Sequence, residues 1–372
     1  MDLLDLRLSF FVNRMEHPNL DLKEASLSIE KALARFLEEN RLRQLPLTLY
    51  QDLFSDMSDF ILRKGKRIRP LLFLVAYKAF GGERELGDLL LLRNAIALEL
   101  LHSFILIHDD IVDLSDRRRG LPTFHRTIER HLRDRADRPR IAQGLAMVAG
   151  DILFSMASEA MQQSDLSTHH QYIAVQHFQR YVTETGIGQI YDIILGDRKI
   201  SQIKIEDVTQ MYTLKTTRYT FEAPFVLGAL HAGVEDRKIQ EISRICEPLG
   251  LAFQMMNDLG EFNLEDAFQS DLIDAKKTML LLEAFQSLNS MEQNFLELCV
   301  ERIDQPNSLQ KIRQLIEQSG ALDRLKLKMN QFFYESEDRL RTSSLSQRQQ
   351  VGLREAIDWV RNAASSFSHT HA

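Results

Sequence analysis

Apolar residues recur at three- and four-residue intervals along most of this 372-residue chain. Such spacing puts them on one face of an α-helix, so the pattern predicts helices nearly throughout from about residue 27. Glycine and proline interrupt the pattern where turns are expected, for instance at Gly81-Gly82 and Gly320. The predicted helices cover residues 27–40, 47–63, 70–80, 88–114, 141–163, 170–195, 206–231, 236–262, 275–302, 308–319, 323–342 and 346–364.

Composition agrees with an all-α fold. The chain has 16 glycines and 8 prolines, too few for the frequent turns of an all-β protein. No linker, low-complexity tract or repeat of fixed period divides the helical pattern. We therefore expect a single domain over residues 26–365, an N-terminal extension over 1–25 and a tail over 366–372.

Charge and cysteine content exclude several protein classes. The net charge of -7 argues against a nucleic-acid binder, which would be basic. Two cysteines, Cys246 and Cys299, are too few for a disulfide framework and are expected to be buried. The N-terminus lacks a basic leader, and no run of eighteen apolar residues occurs, so we expect a cytoplasmic protein without a membrane span.

The first candidate for chemistry is the segment 95–113, AIALELLHSFILIHDDIVD. It is apolar on every face, which is typical of a buried helix, and it ends in Asp109, Asp110 and Asp113. Asp109 and Asp113 lie four residues apart on one helix face. Carboxylates held together there repel each other unless a cation neutralises them, and ligands that are all oxygen favour Mg²⁺. Acids that lie past the core and are simply solvated would explain the same pattern.

A second apolar helix ends in a similar way. The segment 252–266, AFQMMNDLGEFNLED, carries Asn257, Asp258 and Glu261, followed by Glu265. Two acid-ended helices lying side by side would form an oxygen-lined metal site.

Clusters of cations accompany these acids. RKGKRIRP at 63–70 contains five cations, and further ones stand at 116–120, at Lys215-Thr216 and at Lys276-Lys277-Thr278. Acids that hold Mg²⁺ and cations that grip oxyanions are what a diphosphate site requires. The G-x-x-x-x-G-K-[ST] phosphate loop is absent, which argues against nucleotide hydrolysis of that kind. The arginine-rich stretch 126–140 fits either a solvated helix face or a basic flap near an anionic site.

These motifs, taken in order, resemble the trans-isoprenyl diphosphate synthase (polyprenyl synthetase) family over roughly 65–280. Gly65–Pro70 resembles the family's G-K-x-x-R-P motif, and Glu99–His102 with Asp109–Asp113 resembles E-x-x-H followed by D-D-x-x-D. Arg118–His125 is similar to R-R-G-x-P-T-x-H, and Asp271–Thr278 is similar to the late D-L-x-x-G-K-x-T block. Gly150-Asp151, Gly188–Asp192, Lys215-Thr216 and Phe253-Gln254 follow the same order.

The resemblance implies an isoprenoid-synthase helical bundle with a central active-site cavity, usually a homodimer. It also implies a transfer of prenyl groups, in which isopentenyl diphosphate condenses with an allylic diphosphate. About three Mg²⁺ ions are implied, with Mn²⁺ as a substitute. The implied residues for isopentenyl diphosphate are Lys66, Arg69, His102 and Arg119; for the allylic diphosphate Arg118, Lys215 and Lys276; for the metal Asp109, Asp113, Asn257, Asp258 and Glu261; and for the developing cation Thr216 and Gln254.

The same resemblance suggests how product length is set. Phe104 lies five residues before Asp109, more than one helical turn deeper. A phenylalanine there implies a short product of about fifteen to twenty carbons, limited by the depth of the cavity. Ordinary core packing is compatible with the same residue.

Three departures from the family's motifs leave alternative functions open. Asn257 stands where the family's second D-D-x-x-D motif begins, Ala275 replaces a glycine, and Gln269-Ser270 replace a basic residue. Asn257, Asp258 and Glu265 also resemble the N-D-x-x-S-x-x-x-E pattern of class I terpene cyclases, although Glu261 stands at the serine position. A cyclase would not need the implied isopentenyl diphosphate residues.

Two further alternatives follow from single features. Because Asn257 supplies no charge, the hypothesis that the protein is an inactive partner subunit of another prenyl synthase stays open. His102 and His108-Asp109 suggest an HD-type metal phosphohydrolase, a hypothesis that leaves the 253–278 block unexplained.

Overall fold

The described part of the chain is built almost entirely of helices. The computed structural model describes residues 21–43, 48–118, 120–263, 268, 271–305 and 307–365. Within these residues the only β structure is one two-stranded hairpin. The prediction of an all-α protein is therefore confirmed. The chain divides into two compact units.

Unit 1 comprises the described residues up to Phe178 together with Pro224–Val234. A short antiparallel hairpin of β1 (Arg117–Arg118) and β2 (Leu121–Pro122) follows its fourth helix. Its helices are α1 (Leu22–Arg43), α2 (Thr48–Leu62), α3 (Ile68–Ala79), α4 (Leu89–Val112), α5 (Phe124–His131), α6 (Arg138–Gln162) and the first part of α7 (Thr168–Asp197).

The core of unit 1 is α4 packed against α6. α4 begins at Leu89 because the Asp88 carboxylate accepts the Leu91 N–H at 2.9 Å and so caps the helix. Small buried residues on α6 let the two helices approach closely, which fixes the acidic end of α4. These residues are Ala142, Ala146, Ala149, Gly150, Ala157 and Ala160.

Two described helices, α4 and α6, are long and apolar enough to cross a bilayer. They qualify by length and composition alone, a test that the core helix of a protein in water also passes. In α4, 67% of the apolar window is buried inside the protein, as expected for a core helix.

Unit 2 comprises Gln179–Ala223 and the described residues from Glu235 onward. It contains the second part of α7 and a 3₁₀-helix, Ile200–Gln202. The remaining helices are α8 (Ile205–Tyr212), a π-helix (Thr213–Glu222), α9 (Ala223–His231, most of which belongs to unit 1), α10 (Asp236–Phe262), α11 (Met279–Ser287), α12 (Ser290–Glu301), α13 (Ser308–Gln318), α14 (Ala321–Arg341) and α15 (Gln347–Ser365).

In unit 2, α10 packs against α14 and against the π-helix. Gly250 allows α10 and the π-helix to approach closely, because a Cβ at this position would collide with the Thr217 side chain. The predicted burial of both cysteines, Cys246 and Cys299, is confirmed.

One predicted helix is divided in the structure, and another is continuous but changes geometry along its length. The segment 275–302 forms α11 and α12, separated at Leu288 and Asn289. Asn289 caps α12 and forms a reciprocal capping box with Glu292, which favours a new helix start over continuation. The segment 206–231 forms α8, the π-helix and α9.

The arginines of 126–140 pair with acids of the same region. Arg126 contacts Asp116 and Glu129, and Arg135 contacts Asp137. Arg138 lies 3.5 Å from Glu129. These local pairs favour the interpretation of this stretch as a solvated surface.

Candidate active site

The first acidic cluster lies at the C-terminal end of α4. Asp113 caps the helix, and its N–H donates to the Asp109 carbonyl at 2.8 Å. Asp110, between them, is fully buried and accepts hydrogen bonds from Arg118 at 2.6 Å. Arg118 also lies 3.5 Å from Asp109. The structure therefore brings three acids and one predicted phosphate-binding arginine together.

Burial controls the electrostatics of this cluster. Loss of solvent raises the pKa of Asp110 to about 6, because Arg118 offsets the desolvation only in part and Asp109 and Asp113 add repulsion. The neighbouring acids raise the pKa of Arg118 despite its burial. A cation would relieve the repulsion among these carboxylates.

A buried ion pair supports the basic segment before α3. The Arg67 guanidinium lies 2.6 Å from Glu99 on α4 and 2.7 Å from Glu30 on α1. Arg67 has left-handed backbone angles, with φ of 49°, which a residue with a Cβ adopts at a cost. Lys66 and Arg69 flank Arg67, so the ion pair fixes the backbone that carries both.

His102 lies one turn beyond Glu99 on α4, on the same helix face. It lines a small cavity within unit 1 together with Arg67, Glu99 and Arg118. The structure thus places His102 and Arg118, two residues with predicted diphosphate roles, around one cavity.

Phe104 lies in an aromatic group between α4 and α6. Its ring centroid is 5.6 Å from that of Phe154 and 4.6 Å from that of His108. His108 Nε2 lies 3.1 Å from the Met147 carbonyl. Gly150 makes room for His108, because a Cβ there would come within 2.5 Å of the imidazole.

The second acidic cluster lies at the C-terminal end of α10. Asp258 is buried, and both carboxylate oxygens are engaged: Oδ2 accepts from the Tyr212 hydroxyl at 2.6 Å and Oδ1 from Gln254 at 3.4 Å. Burial raises the pKa of Asp258 to about 7. Glu261 is hydrogen-bonded to Asp271, and burial followed by the Asp271 charge raises the pKa of Glu261.

Two predicted phosphate-binding lysines lie in unit 2 with acidic partners. Lys215 Nζ is 2.5 Å from Asp192 Oδ2, and Lys276 Nζ is 3.1 Å from Asp271 Oδ1. Lys215 and Thr216 stand on the π-helix, a geometry frequent at functional sites. α7 approaches this helix closely, since a Cβ at Gly188 would collide with the Lys215 backbone.

A buried lysine fixes the turn that carries Lys276. Lys277 donates to the carbonyls of Gly196 and Ala275, both at 2.8 Å. Ala275 has a φ of 57°, a left-handed angle that glycine adopts more readily. This explains physically why a glycine would suit this position.

Two residues of the predicted site, Arg119 and Glu265, lie outside the described residues. Gln269 and Ser270, which replace a basic residue of the family, lie outside them too.

The side-chain oxygen atoms of the two acidic clusters suit a magnesium ion that binds together with a substrate phosphate. Among the described residues, no three His, Cys, Asp or Glu side chains form a ready-made metal site. Mg²⁺ is commonly held by one or two carboxylates together with waters and substrate phosphates. Asn257 Oδ1 is buried and has no hydrogen-bond partner within the described ranges, so it is an oxygen that a hard cation would satisfy.

A family model described as polyprenyl synthetase matches residues 51–319. The chain belongs to the polyprenyl synthetase family. The match includes both acidic clusters and the two lysines of unit 2, so this family accounts for the residues just described.

Relatives with known names support the same assignment. The synthetase is 32% identical over 229 residues to geranylgeranyl diphosphate synthase of Sulfolobus acidocaldarius, a match covering 60% of this chain and 63% of that protein. It is 28% identical over 276 residues to geranylfarnesyl diphosphate synthase of Natronomonas pharaonis, covering 69% and 76% respectively. The chain thus spans less than two thirds of the first relative.

A solved structure confirms the fold. Geranylgeranyl pyrophosphate synthase of Corynebacterium glutamicum, complexed with isoprenyl diphosphate and magnesium, is similar to this polyprenyl synthetase with a TM-score of 0.81 and 27% identity. The similarity covers 92% of this chain and 100% of that one. The helical isoprenoid-synthase fold expected from the sequence is therefore confirmed.

The sequence motifs missed two side chains of this synthetase site. Tyr212 belongs to no motif, and the sequence offers no sign of its contact with Asp258. Arg67 lies inside the Gly65–Pro70 motif. The resemblance predicted roles for Lys66 and Arg69 in this motif but none for Arg67.

Proposed function

We propose that the protein joins isopentenyl diphosphate head-to-tail to an allylic diphosphate and releases pyrophosphate. The observation that carries this proposal is the pair of acid-ended helices, α4 and α10, each with a cation near its acids, inside the polyprenyl synthetase match. The named relatives favour products of about twenty to twenty-five carbons, the upper part of the expected range and one unit beyond it.

Four predicted residues would bind isopentenyl diphosphate. Lys66, Arg69, His102 and Arg119 supply positive charge and hydrogen-bond donors, which suit a diphosphate. Fixing this substrate in position for attack supplies roughly 7–11 kcal/mol through orientation.

The acidic clusters would serve the allylic diphosphate. In unit 1, Asp109 and Asp113 would hold Mg²⁺ and Arg118 would grip a phosphate. In unit 2, Asn257 and Glu261 would hold Mg²⁺, with Asp258 in support, and Lys215 and Lys276 would grip phosphates. The barrier is separation of charge as the carbon–oxygen bond breaks. When bound, Mg²⁺ supplies Lewis-acid stabilisation of the departing pyrophosphate.

The protein side chains would handle the rest of the reaction. Arg118, Lys215 and Lys276 stabilise the charge that develops on the leaving group, as preorganised electrostatics. Thr216 and Gln254 turn oxygen atoms toward the positive carbon. The alkene of isopentenyl diphosphate attacks that carbon, and the proton lost afterwards passes to pyrophosphate.

An incubation with labelled substrate tests this function. Purified protein receives radiolabelled isopentenyl diphosphate and one short allylic diphosphate at a time, with and without Mg²⁺, and products are separated by length. We expect label in products longer than the primer when Mg²⁺ is present. Product formed from the allylic diphosphate alone would indicate a cyclase, and no turnover of any primer would indicate an inactive partner subunit.

Phe104 is expected to form the floor of the product cavity. The Phe104→Ala variant removes a ring that packs on Phe154 and should lengthen the product by at least one isoprene unit, about five carbons, because the cavity deepens. Phe295→Ala, at a residue 42% exposed on α12, is the control and should leave the length unchanged. An identical product distribution from the Phe104→Ala enzyme would rule out this role.

We further propose a cytoplasmic homodimer. In support, α6 exposes Met147 and Val148, and α7 exposes Ile190 and Ile193 at roughly half of their surface each. Apolar residues exposed along helices in this way are typical of protein–protein contacts. A monomeric mass in light scattering would exclude the dimer.

A further inference from the structure

Tyr212 connects three segments of unit 2 through one hydroxyl group. The side chain is buried, with 3% of its surface exposed. Its hydroxyl donates to Asp258 Oδ2 at 2.6 Å and accepts the Met279 N–H at 2.8 Å. The first distance is typical of a strong hydrogen bond to a carboxylate.

Each connected segment carries a residue assigned to the allylic diphosphate. Tyr212 immediately precedes the π-helix that bears Lys215. Asp258 is adjacent to Asn257 and one turn from Glu261 on α10. Met279 is the first residue of α11 and follows Lys276 by three positions.

The contacts of Asp258 show what the hydroxyl does. With Tyr212 on one oxygen and Gln254 on the other, the Asp258 carboxylate points into the protein interior and does not need a metal to be satisfied. Asp110 on α4 is similar, since it is buried and bonded to Arg118. The second acid of each acidic cluster thus holds a neighbouring side chain in place: Asp110 holds Arg118, and Asp258 holds Tyr212.

We propose that Tyr212 is a positioning residue, whose hydroxyl fixes Asp258 and the start of α11 so that Asn257, Glu261 and Lys276 are set to receive the allylic diphosphate and its Mg²⁺. The proposal rests on the proposed function. Tyr212 touches neither substrate nor metal; it acts through Asp258 and the Met279 amide.

A matched pair of variants isolates the hydroxyl. Tyr212→Phe keeps the ring and removes the two hydrogen bonds. Tyr181→Phe is the control, because Tyr181 is also buried and donates to a carboxylate, Glu222, at 3.1 Å. Glu222 keeps Arg180 and Arg218 as partners, so this change leaves no unpaired acid.

The readouts are binding and kinetics of the full chain. Calorimetry gives the Kd of inorganic pyrophosphate in the presence of Mg²⁺, and product assays give kcat and the KM of each substrate. For Tyr212→Phe we expect the Kd and the allylic KM to rise roughly ten-fold, as loss of a hydrogen bond to a charged group implies. The isopentenyl diphosphate KM stays unchanged, and Tyr181→Phe matches the wild type in all values.

Contrary results are equally clear. The proposal fails if Tyr212→Phe keeps the wild-type Kd and allylic KM, or if it weakens both substrates equally while melting at a lower temperature. Should this variant not fold, the pair Asp258→Asn and Asp258→Ala decides. The proposal requires Asp258→Asn to bind pyrophosphate more tightly than Asp258→Ala, because only the amide oxygen still accepts from the Tyr212 hydroxyl, and equal Kd values for the two variants overturn it. If wild-type protein makes no product, the proposed function fails while the binding comparison still decides the role of Tyr212.

Discussion

An Asp109→Asn enzyme is expected to turn over allylic substrate at least roughly a hundred-fold more slowly than the wild type. The substitution keeps the size of the side chain and removes one negative charge at the end of α4. Metal held there would stabilise the leaving pyrophosphate less, and this stabilisation is needed most in the transition state. The measurement is kcat with saturating substrates and a titration of Mg²⁺, whose half-saturating concentration should rise.

The control is Asp116→Asn, three residues after the first cluster ends. Asp116 is exposed and pairs with Arg126 on the surface, so its loss should change kcat by less than about two-fold. If the Asp109 variant keeps wild-type kcat and Mg²⁺ dependence, the first cluster does not hold the metal, and the proposed mechanism is wrong.

Replacing Arg67 by methionine is expected to lower the free energy of unfolding by about 3–5 kcal/mol. The side chains of Arg67 and Glu99 are 1% and 4% exposed, so the change leaves a buried carboxylate without its counter-charge. Urea denaturation measures the loss. Adding Glu99→Gln to the same chain should recover part of it, because the remaining group is then neutral.

The comparison for this variant is Arg35→Met. Arg35 is 58% exposed and pairs with Glu39 one turn away on α1, a surface contact worth about 0.5 kcal/mol or less. Equal losses from the two variants would mean that the Arg67 ion pair contributes no more than a surface pair. The isopentenyl diphosphate KM of the Arg67 variant should rise too, since Lys66 and Arg69 lose their support.

Helical periodicity predicted most of the fold because long helices expose one face to a core. The predicted 236–262 matches α10, and 88–114 matches α4 within two residues. Short features without a helical period were missed, among them the hairpin from Arg117 to Pro122. The π-helix was missed because its wider hydrogen-bond pattern has no characteristic residue type. The break before α12 had a readable signal, the Asn289–Glu292 capping box.

The candidate site was predictable where sequence neighbours are also spatial neighbours. Asp109 and Asp113 share a helix face, so their proximity follows from spacing alone. The pairing of Lys215 with Asp192 joins residues 23 positions apart, and the Tyr212–Asp258 bond joins residues 46 apart. Such contacts depend on how helices pack, which periodicity does not report. The domain limits predicted from the sequence stay a prediction.

The π-helix from Thr213 to Glu222 has a consequence for how this site tolerates insertions and deletions. Each π turn contains about one residue more than an α turn, so a single-residue deletion within this segment could be absorbed by converting a turn to α geometry. The helix would survive such a deletion, but the residues between the deletion and the converted turn would rotate by about 100° around the axis, the angle of one α-helical residue. A deletion after Lys215 that is absorbed before Lys215 would therefore turn this side chain away from Asp192. The length of the π-helix is thus constrained by the direction in which Lys215 must point. Measurements of helix stability alone would not reveal this constraint.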